Sequence, residues 1–262
     1  MIQTSAQAYR RDRRVVVAGI ILISLLSWIY LVALATPDQA AHSPEHTVMQ
    51  PAMTAWDGGL LVLNMVMWGV MMIAMMSPTA TPMVLSFTRL QHQREARPKA
   101  VRLTTWFITG YLVAWFAFGL TAALAQWVLY SRELMTSAMG STTPLLAGGL
   151  LVAAGLFQWS GLKNACLTKC RSPLNFLLNE WRPGSRGALI MGLRHGLYCV
   201  GCCWVLMLLM FVGGVMNLTW MAAIAIYVLL EKVLPPIRVL GSFIGILLVL
   251  AGAVTLGVTL AR

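Results

Sequence analysis

The stretch ALIMGLRHGLYCVGCCWVLMLLMFVGGVM, residues 188–216, decides the class of fold. It contains a single formal charge, at Arg194, followed by a neutral histidine. A helix needs about 20 mainly apolar residues to cross a bilayer, so this stretch is long enough to span one. It therefore predicts a helix embedded in a membrane.

Six further apolar runs extend this pattern along the chain. They cover residues 15–35, 59–76, 104–130, 144–162, 218–234 and 239–261. Of the 262 residues, 59% are apolar and 10% charged, and mean hydropathy is +0.76. Soluble domains contain about 25% charged residues, so this composition excludes an ordinary soluble enzyme, a disordered chain and a disulfide scaffold. We predict an all-α, polytopic transmembrane helical bundle of six or seven spans.

The basic residues orient the predicted spans. Segment 36–57 contains no Lys or Arg, whereas segments 78–103 and 163–187 contain five each. Because basic loops stay on the cytoplasmic side, we expect a multi-pass protein of the bacterial inner (cytoplasmic) membrane with a cytoplasmic N-terminus. The formal net charge of +11 is then explained by topology and contact with anionic lipid, not by nucleic acid.

The chain divides into two predicted units. The run at 15–35 follows four arginines and exceeds the 7–15 apolar residues typical of a secretory signal, so we interpret it as an uncleaved anchor. Residues 1–57 then form an anchor helix with an outer loop, and residues 58–262 form the main bundle. Two Gly-x-x-x-Gly patterns, at Gly192/Gly196 and Gly241/Gly245, predict close helix contacts within that bundle.

Sulfur and imidazole share one predicted helix face. At 100° per residue, an arc of about 100° contains His195, Cys199, Cys202, Cys203 and Met210. Thiolate and thioether ligands select Cu(I), and imidazole with thiolate also suits zinc. Buried cysteine also serves as a small apolar packing residue, which is the alternative interpretation.

A second face is rich in methionine. Within residues 64–76, one half of the helical wheel holds Asn64, Trp68 and six methionines, namely Met65, Met67, Met71, Met72, Met75 and Met76. This methionine stripe suits either adaptable packing or a thioether ladder that holds or passes Cu(I). The sequence does not decide between the two.

Three smaller clusters lie in or near the loops. On the predicted outer side, His42, Glu45, His46, Met49 and Met53 could gather a metal ion. On the predicted inner side, Cys166 and Cys170 are spaced by one helical turn among basic residues and suit an exit site or a partner contact. We expect Glu231, at the end of the sixth run, to pair locally with Lys232 or Arg238, or else to neutralise a bound cation.

Three separated blocks resemble one bacterial family of unknown function, the predicted metal-binding integral membrane proteins. The blocks are WGVMMIAMMSP (68–78), WSGLKNACLTKCRSP (159–173), and GLYCVGCCW (196–204) continuing through VGGVMN (212–217) to Glu231-Lys232. The resemblance covers about Trp56 to Lys232 and leaves the first and last spans outside it. It implies a copper-handling role with candidate ligands Met65, Met72, Met76, Cys166, Cys170, His195, Cys199, Cys202 and Cys203.

Three functions follow from these observations. The leading hypothesis is a membrane protein that binds a soft metal, with Cu(I) as the first choice and zinc as the second, for transfer to a membrane or outer-side metalloprotein. The alternatives are a thiol–disulfide relay through the cysteines and a structural or assembly subunit of a membrane complex. A P-loop, Gly-x-Ser-x-Gly and His-Glu-x-x-His are all absent from the sequence, which favours a protein that is not an enzyme without deciding it. The sequence leaves a homo-oligomer open.

Overall fold

A computed structural model describes residues 2–35, 58–135, 141–234 and 238–261. Within them lie ten helices: α1 (Ile2–Ala35), α2 (Gly58–Arg94), α3 (Arg97–Ser131), α4 (Pro144–Phe157), α5 (Gly161–Arg171), α6 (Pro173–Asn179), α7 (Gly184–Leu208), α8 (Met210–Gly213), α9 (Leu218–Val233) and α10 (Arg238–Leu260). Proline occupies the first turn of α3, α4 and α6, where its missing N–H costs no hydrogen bond. The all-α prediction is confirmed.

The number of membrane-crossing helices depends on one bend. Five helices in the described ranges are long and apolar enough to cross a membrane, and a sixth results if α4 and α5 together form one span. The helix α9, predicted to be a span, has 16 residues, or about 24 Å at 1.5 Å per residue, against a hydrocarbon core of about 30 Å. Helix α9 is therefore too short to be counted as a membrane span on length alone.

The predicted run 144–162 is not one straight helix. It bends by 62° between α4 and α5, at Gln158-Trp159-Ser160. The Ser160 side chain accepts a hydrogen bond from the backbone N–H of Lys163 at 3.1 Å, which is a standard N-cap and starts a new helix. The bend turns the two cysteines of α5 toward α7.

Glycines bring α3 and α7 into backbone contact. A Cβ built on Gly192 would lie 1.9 Å from the carbonyl oxygen of Phe107, and one on Gly196 would lie 2.6 Å from Cβ of Ala114. The first predicted Gly-x-x-x-Gly contact is therefore confirmed. In the second, Gly245 packs against the carbonyl of Gly155 in α4, whereas Gly241 lies beside Glu231.

The protein core lies between α2, α3 and α7, and α1 and α10 flank it. Helix α1 packs along α2, where Asp12 and His92 form a buried contact of 3.2 Å. Helix α10 packs along α4 and leaves large apolar side chains such as Val239 and Val254 exposed, at 82% and 65%. Such apolar outer faces suit contact with lipid chains.

Candidate metal-binding site

The predicted cysteine face of α7 is buried in the bundle. His195, Cys199, Cys202 and Cys203 are each at most 2% exposed. Their spacings of three and four residues place them on one side of the helix, as the periodicity predicts. Close packing at Gly192 and Gly196 presses this side of α7 against α3. Met210, the fifth member of the predicted arc, is also buried, but it lies in α8, beyond the end of α7 at Leu208.

The bend before α5 adds a fourth thiol from a different helix. The thiol of Cys170 interacts with those of Cys199 and Cys202, and the thiol of Cys203 interacts with the same two. We call Cys170, Cys199, Cys202 and Cys203 the four-thiol cluster. The sequence placed Cys170 in a separate inner-side site, so its position beside α7 is a finding of the structure.

The fifth cysteine lies at the edge of this cluster. Cys166 is half-buried, and its sulfur would be 2.8 Å from a Cβ built on Gly201 of α7. A glycine at 201 therefore lets α5 approach α7 closely enough for Cys170 to reach the cluster. Cys166 itself packs beside the cluster.

The cluster is not yet arranged as a coordination shell. Among the residues that the structure describes, no group of three or more His, Cys, Asp or Glu side chains is placed to hold a metal ion. The thiols of Cys202 and Cys203 instead donate to the backbone carbonyl of Cys199, at 3.1 and 3.0 Å. All five cysteines are free thiols.

Two side chains outside the predicted ligand set, those of Lys232 and Tyr111, contact the Cys199 sulfur. The Lys232 ammonium donates to the Cys199 sulfur at 2.7 Å and lies 3.5 Å from the hydroxyl of Thr79. The Tyr111 hydroxyl lies 3.2 Å from the same sulfur and donates to the backbone carbonyl of Met76 at 2.9 Å. A lysine at the end of an apolar run normally extends toward the headgroups, so no sequence pattern predicts the contact of Lys232 with a thiol.

His195 supplies an unused ligand atom close to the cluster. Its ring lies among Tyr111, Phe107 and Phe176, with ring centroids 5.7, 6.1 and 5.5 Å away. Its Nδ1 atom is buried without a hydrogen-bond partner. Because an unpaired buried polar atom is costly, this nitrogen is a candidate to bind a metal ion.

The methionine stripe of α2 faces the protein interior. Met67, Met71, Met72, Met75 and Met76 are at most 2% exposed. Met65 is half-buried. On the opposite face Val66 is 45% exposed, but Gly69, Ala74 and Ser77 are buried, so this part of α2 is enclosed on both faces. The stripe meets the cluster through Tyr111, which contacts the backbone of Met76 on one side and Cys199 on the other.

The predicted local pairing of Glu231 is different in the structure. Glu231 forms a buried ion pair with Lys163 of α5, at 2.7 Å, and Arg171 donates to its backbone carbonyl. Lys232 points the other way, toward Cys199. The expected pair with Lys232 is therefore wrong, because the α4–α5 bend brings a closer cation to Glu231. The side chain of Arg238 lies outside the described residues.

This ion pair yields a stability prediction. We expect Lys163→Met to lower the free energy of unfolding by about 3–5 kcal/mol, because it leaves the Glu231 carboxylate buried without its cation. The double variant Lys163→Met/Glu231→Gln removes both charges and should recover most of that loss. Thermal unfolding in detergent measures both, and a double variant no more stable than the single one would contradict the explanation.

The predicted outer-loop cluster cannot be compared with the structure. His42, Glu45, His46, Met49 and Met53 lie in segment 36–57, outside the described residues. Their metal-gathering role stays a prediction.

Comparison with known proteins agrees with the soft-donor chemistry of this site. A family model described as a copper chaperone, PpoB2, matches residues 65–255, well over half of the chain. No curated protein and no solved structure matches the chain. The matched segment contains all five cysteines and runs into α10, beyond the Lys232 boundary of the sequence resemblance. The chain belongs to the PpoB2 copper chaperone family.

Proposed function

We propose that this protein is a membrane-embedded copper chaperone that holds Cu(I) at the four-thiol cluster and passes it to a partner metalloprotein. The observation that carries the proposal is the meeting of thiols from two helices, Cys170 on α5 and three cysteines on α7. Sulfur atoms that converge from separate helices enclose a cation better than thiols of one helix alone. His195 supplies a nitrogen at the margin of the same site.

The chemistry of the surroundings favours a monovalent soft ion. Thiolates select Cu(I), and a buried thiolate needs a nearby positive charge because the low dielectric constant makes an isolated charge costly. Lys232, at 2.7 Å from Cys199, supplies one such charge, and the bound ion supplies another. Two thiolates, one ammonium and Cu(I) together are neutral, whereas Zn²⁺ needs a third thiolate to reach neutrality with the same ammonium. Cu(I) therefore requires fewer of the cluster thiols to be ionised.

Metal binding by this cluster requires a local rearrangement. Cys202 and Cys203 have to rotate away from the carbonyl of Cys199 before their sulfurs can face a common ion. Rotation about one side-chain bond is enough, since both residues already lie on the buried face of α7. We propose that copper drives this change, and that the metal-free thiols remain hydrogen-bonded to the backbone.

The methionine stripe supplies a route to the cluster. In the orientation predicted from the loop charges, α2 runs from the outer side inward, so the stripe begins near the predicted outer loop. Copper gathered there would move along thioethers toward Met76, which lies next to Tyr111 and Cys199 through hydrogen bonds. Because thioethers are neutral, they exchange Cu(I) without leaving a buried charge behind. The direction of transfer rests on the predicted orientation.

Copper loading of the purified full chain tests the proposal. After anaerobic incubation with Cu(I) and removal of free metal, we expect about one copper per chain by elemental analysis. The four cluster thiols should then become protected from alkylation. A protein that retains no copper but gains or loses thiols when treated with oxidant would contradict the proposal and favour the disulfide relay.

The route through the stripe gives a kinetic prediction. Replacing both Met72 and Met76 with leucine should slow copper uptake by roughly tenfold, because it removes two thioether ligands while nearly preserving side-chain volume. The equilibrium affinity should change little, since the cluster thiols remain. Stopped-flow transfer of Cu(I) from a chelator measures both. A double variant that takes up copper as fast as the wild type would contradict the route.

A further inference from the structure

A cavity of about 330 Å³ lies on a different face of α5 from the four-thiol cluster. It is bounded by the α4–α5 bend, the end of α9 and the first turns of α10. Its polar walls include Gln158, Lys163, Asn164, Arg171, Glu231 and Ser242. Asn164 and Thr168, at its rim, are exposed, so the cavity opens to the surface.

One buried donor in this cavity has no partner. Gln158 is 6% exposed, and its Oε1 atom accepts from the Lys163 ammonium and from the Tyr227 hydroxyl. With the oxygen occupied, the amide group has only N–H donors left to offer, and its Nε2 atom has no hydrogen-bond partner. An unpaired buried donor costs about 1–3 kcal/mol, so an acceptor brought by a ligand would stabilise this position.

The charge of the cavity favours an anion as that acceptor. Lys163 and Arg171 contribute two positive charges against the single carboxylate of Glu231. That carboxylate already accepts from Lys163 at 2.7 Å, and it shares the single proton of the Tyr227 hydroxyl with Gln158, at 3.3 Å from each. Gly241 lies near the N-terminus of α10, where the helix dipole is positive.

We propose that this cavity is a binding site for a phosphate group, carried either by an anionic lipid headgroup or by free phosphate. Gln158 Nε2 donates to a phosphate oxygen, and Lys163 and Arg171 balance its charge. Binding of phosphate at this cavity does not involve copper. The cavity is nevertheless linked by a short series of contacts to the four-thiol cluster. Arg171 holds the backbone carbonyl of Glu231 at 2.7 Å, and the adjacent residue, Lys232, contacts Cys199.

The thermal unfolding midpoint of the detergent-purified full chain tests the proposal. The probes are inorganic phosphate at matched ionic strength, short-chain phosphatidylglycerol and short-chain phosphatidylcholine. A ligand that binds only the folded state raises the midpoint as its concentration rises. A response to both inorganic phosphate and phosphatidylglycerol supports a site for free phosphate. A response to phosphatidylglycerol alone supports a lipid-headgroup site. Equal stabilisation by both lipids without a response to phosphate would overturn the proposal.

Two variants separate this cavity from general effects. We expect Gln158→Leu, which removes the free donor, to weaken the response by at least about tenfold in concentration. Gly241→Leu fills the cavity without removing a charge, since a Cβ there would meet its nearest neighbour, Glu231 Oε1, at an ordinary 3.5 Å. Gly241→Leu should weaken the response to the phosphate probes to a similar extent and leave copper retention unchanged.

The matched control is Gly149→Leu, on the outer face of α4, where a Cβ meets nothing within 4 Å. It should respond as the wild type does. A Gly241→Leu variant that responds as strongly as this control would also overturn the proposal. Because copper retention is measured separately, failure of the phosphate site is distinguishable from failure of the copper site.

Discussion

Cys170→Ser is expected to lower Cu(I) affinity by about 100-fold or more, although the residue lies on a different helix from the other three cluster cysteines. Changes outside the ligand shell of a metal commonly cost about 10–100-fold in affinity, so loss of a direct ligand should cost at least as much. Serine keeps the size and hydrogen-bonding ability of the side chain but not the soft sulfur. Competition with a Cu(I) chelator under anaerobic conditions measures the affinity.

Cys166→Ser is the matched control for this prediction. Cys166 lies one turn earlier on the same helix, and its sulfur faces Gly201 at the margin of the cluster. The control should retain copper within about tenfold of the wild type, the low end of the losses that changes outside the ligand shell cause, because all four cluster thiols remain. If Cys170→Ser and Cys166→Ser lose copper equally, both cysteines of α5 contribute to binding in the same way. The four-thiol cluster, which includes Cys170 and not Cys166, would then be defined incorrectly.

Gly192→Ala is expected to lower the free energy of unfolding by about 3 kcal/mol or more, a large effect for one methyl group. Overpacking a close contact costs about 1–3 kcal/mol and occasionally more, and here the new Cβ would lie 1.9 Å from the Phe107 carbonyl oxygen. That oxygen belongs to the backbone of α3 and cannot rotate away. The helices must separate, so the thermal midpoint should fall by roughly 5–10 °C.

The same substitution at Gly149 provides the comparison. A Cβ at Gly149 meets nothing within 4 Å, and alanine stabilises a helix relative to glycine by about 0.5–1 kcal/mol. Gly149→Ala should therefore leave the midpoint unchanged or slightly raised. A Gly192→Ala protein as stable as this control would contradict the close α3–α7 contact, and with it the position of Tyr111 against Cys199.

The fold was largely predictable because long apolar runs with few charges have few structural alternatives. Most of the run at 188–216 is helical, although α7 ends at Leu208, and the stripe methionines share one face as predicted, since helical periodicity places side chains on faces regardless of what the helix contacts. The break at Ser160 was missed. Hydropathy is averaged over a window of many residues, so a few polar residues at a helix cap hardly change it. The residues that end α4 therefore look like part of one continuous span.

The candidate site was predictable only where it lies on one helix. The cysteine arc of α7 follows from spacings of three and four residues, whereas Cys170 joins it only because of the 62° bend between α4 and α5. The contact of Lys232 with Cys199 depends on where α9 ends relative to α7, which no local pattern encodes. Such contacts require the tertiary arrangement.

Copper K-edge X-ray absorption of the anaerobic, Cu(I)-loaded protein identifies the atoms that bind the ion. We expect a first shell dominated by sulfur in the wild type and in Cys166→Ser, with fewer sulfur neighbours in Cys170→Ser. A shell of nitrogen and oxygen alone, or the same sulfur number in all three proteins, would contradict this expectation.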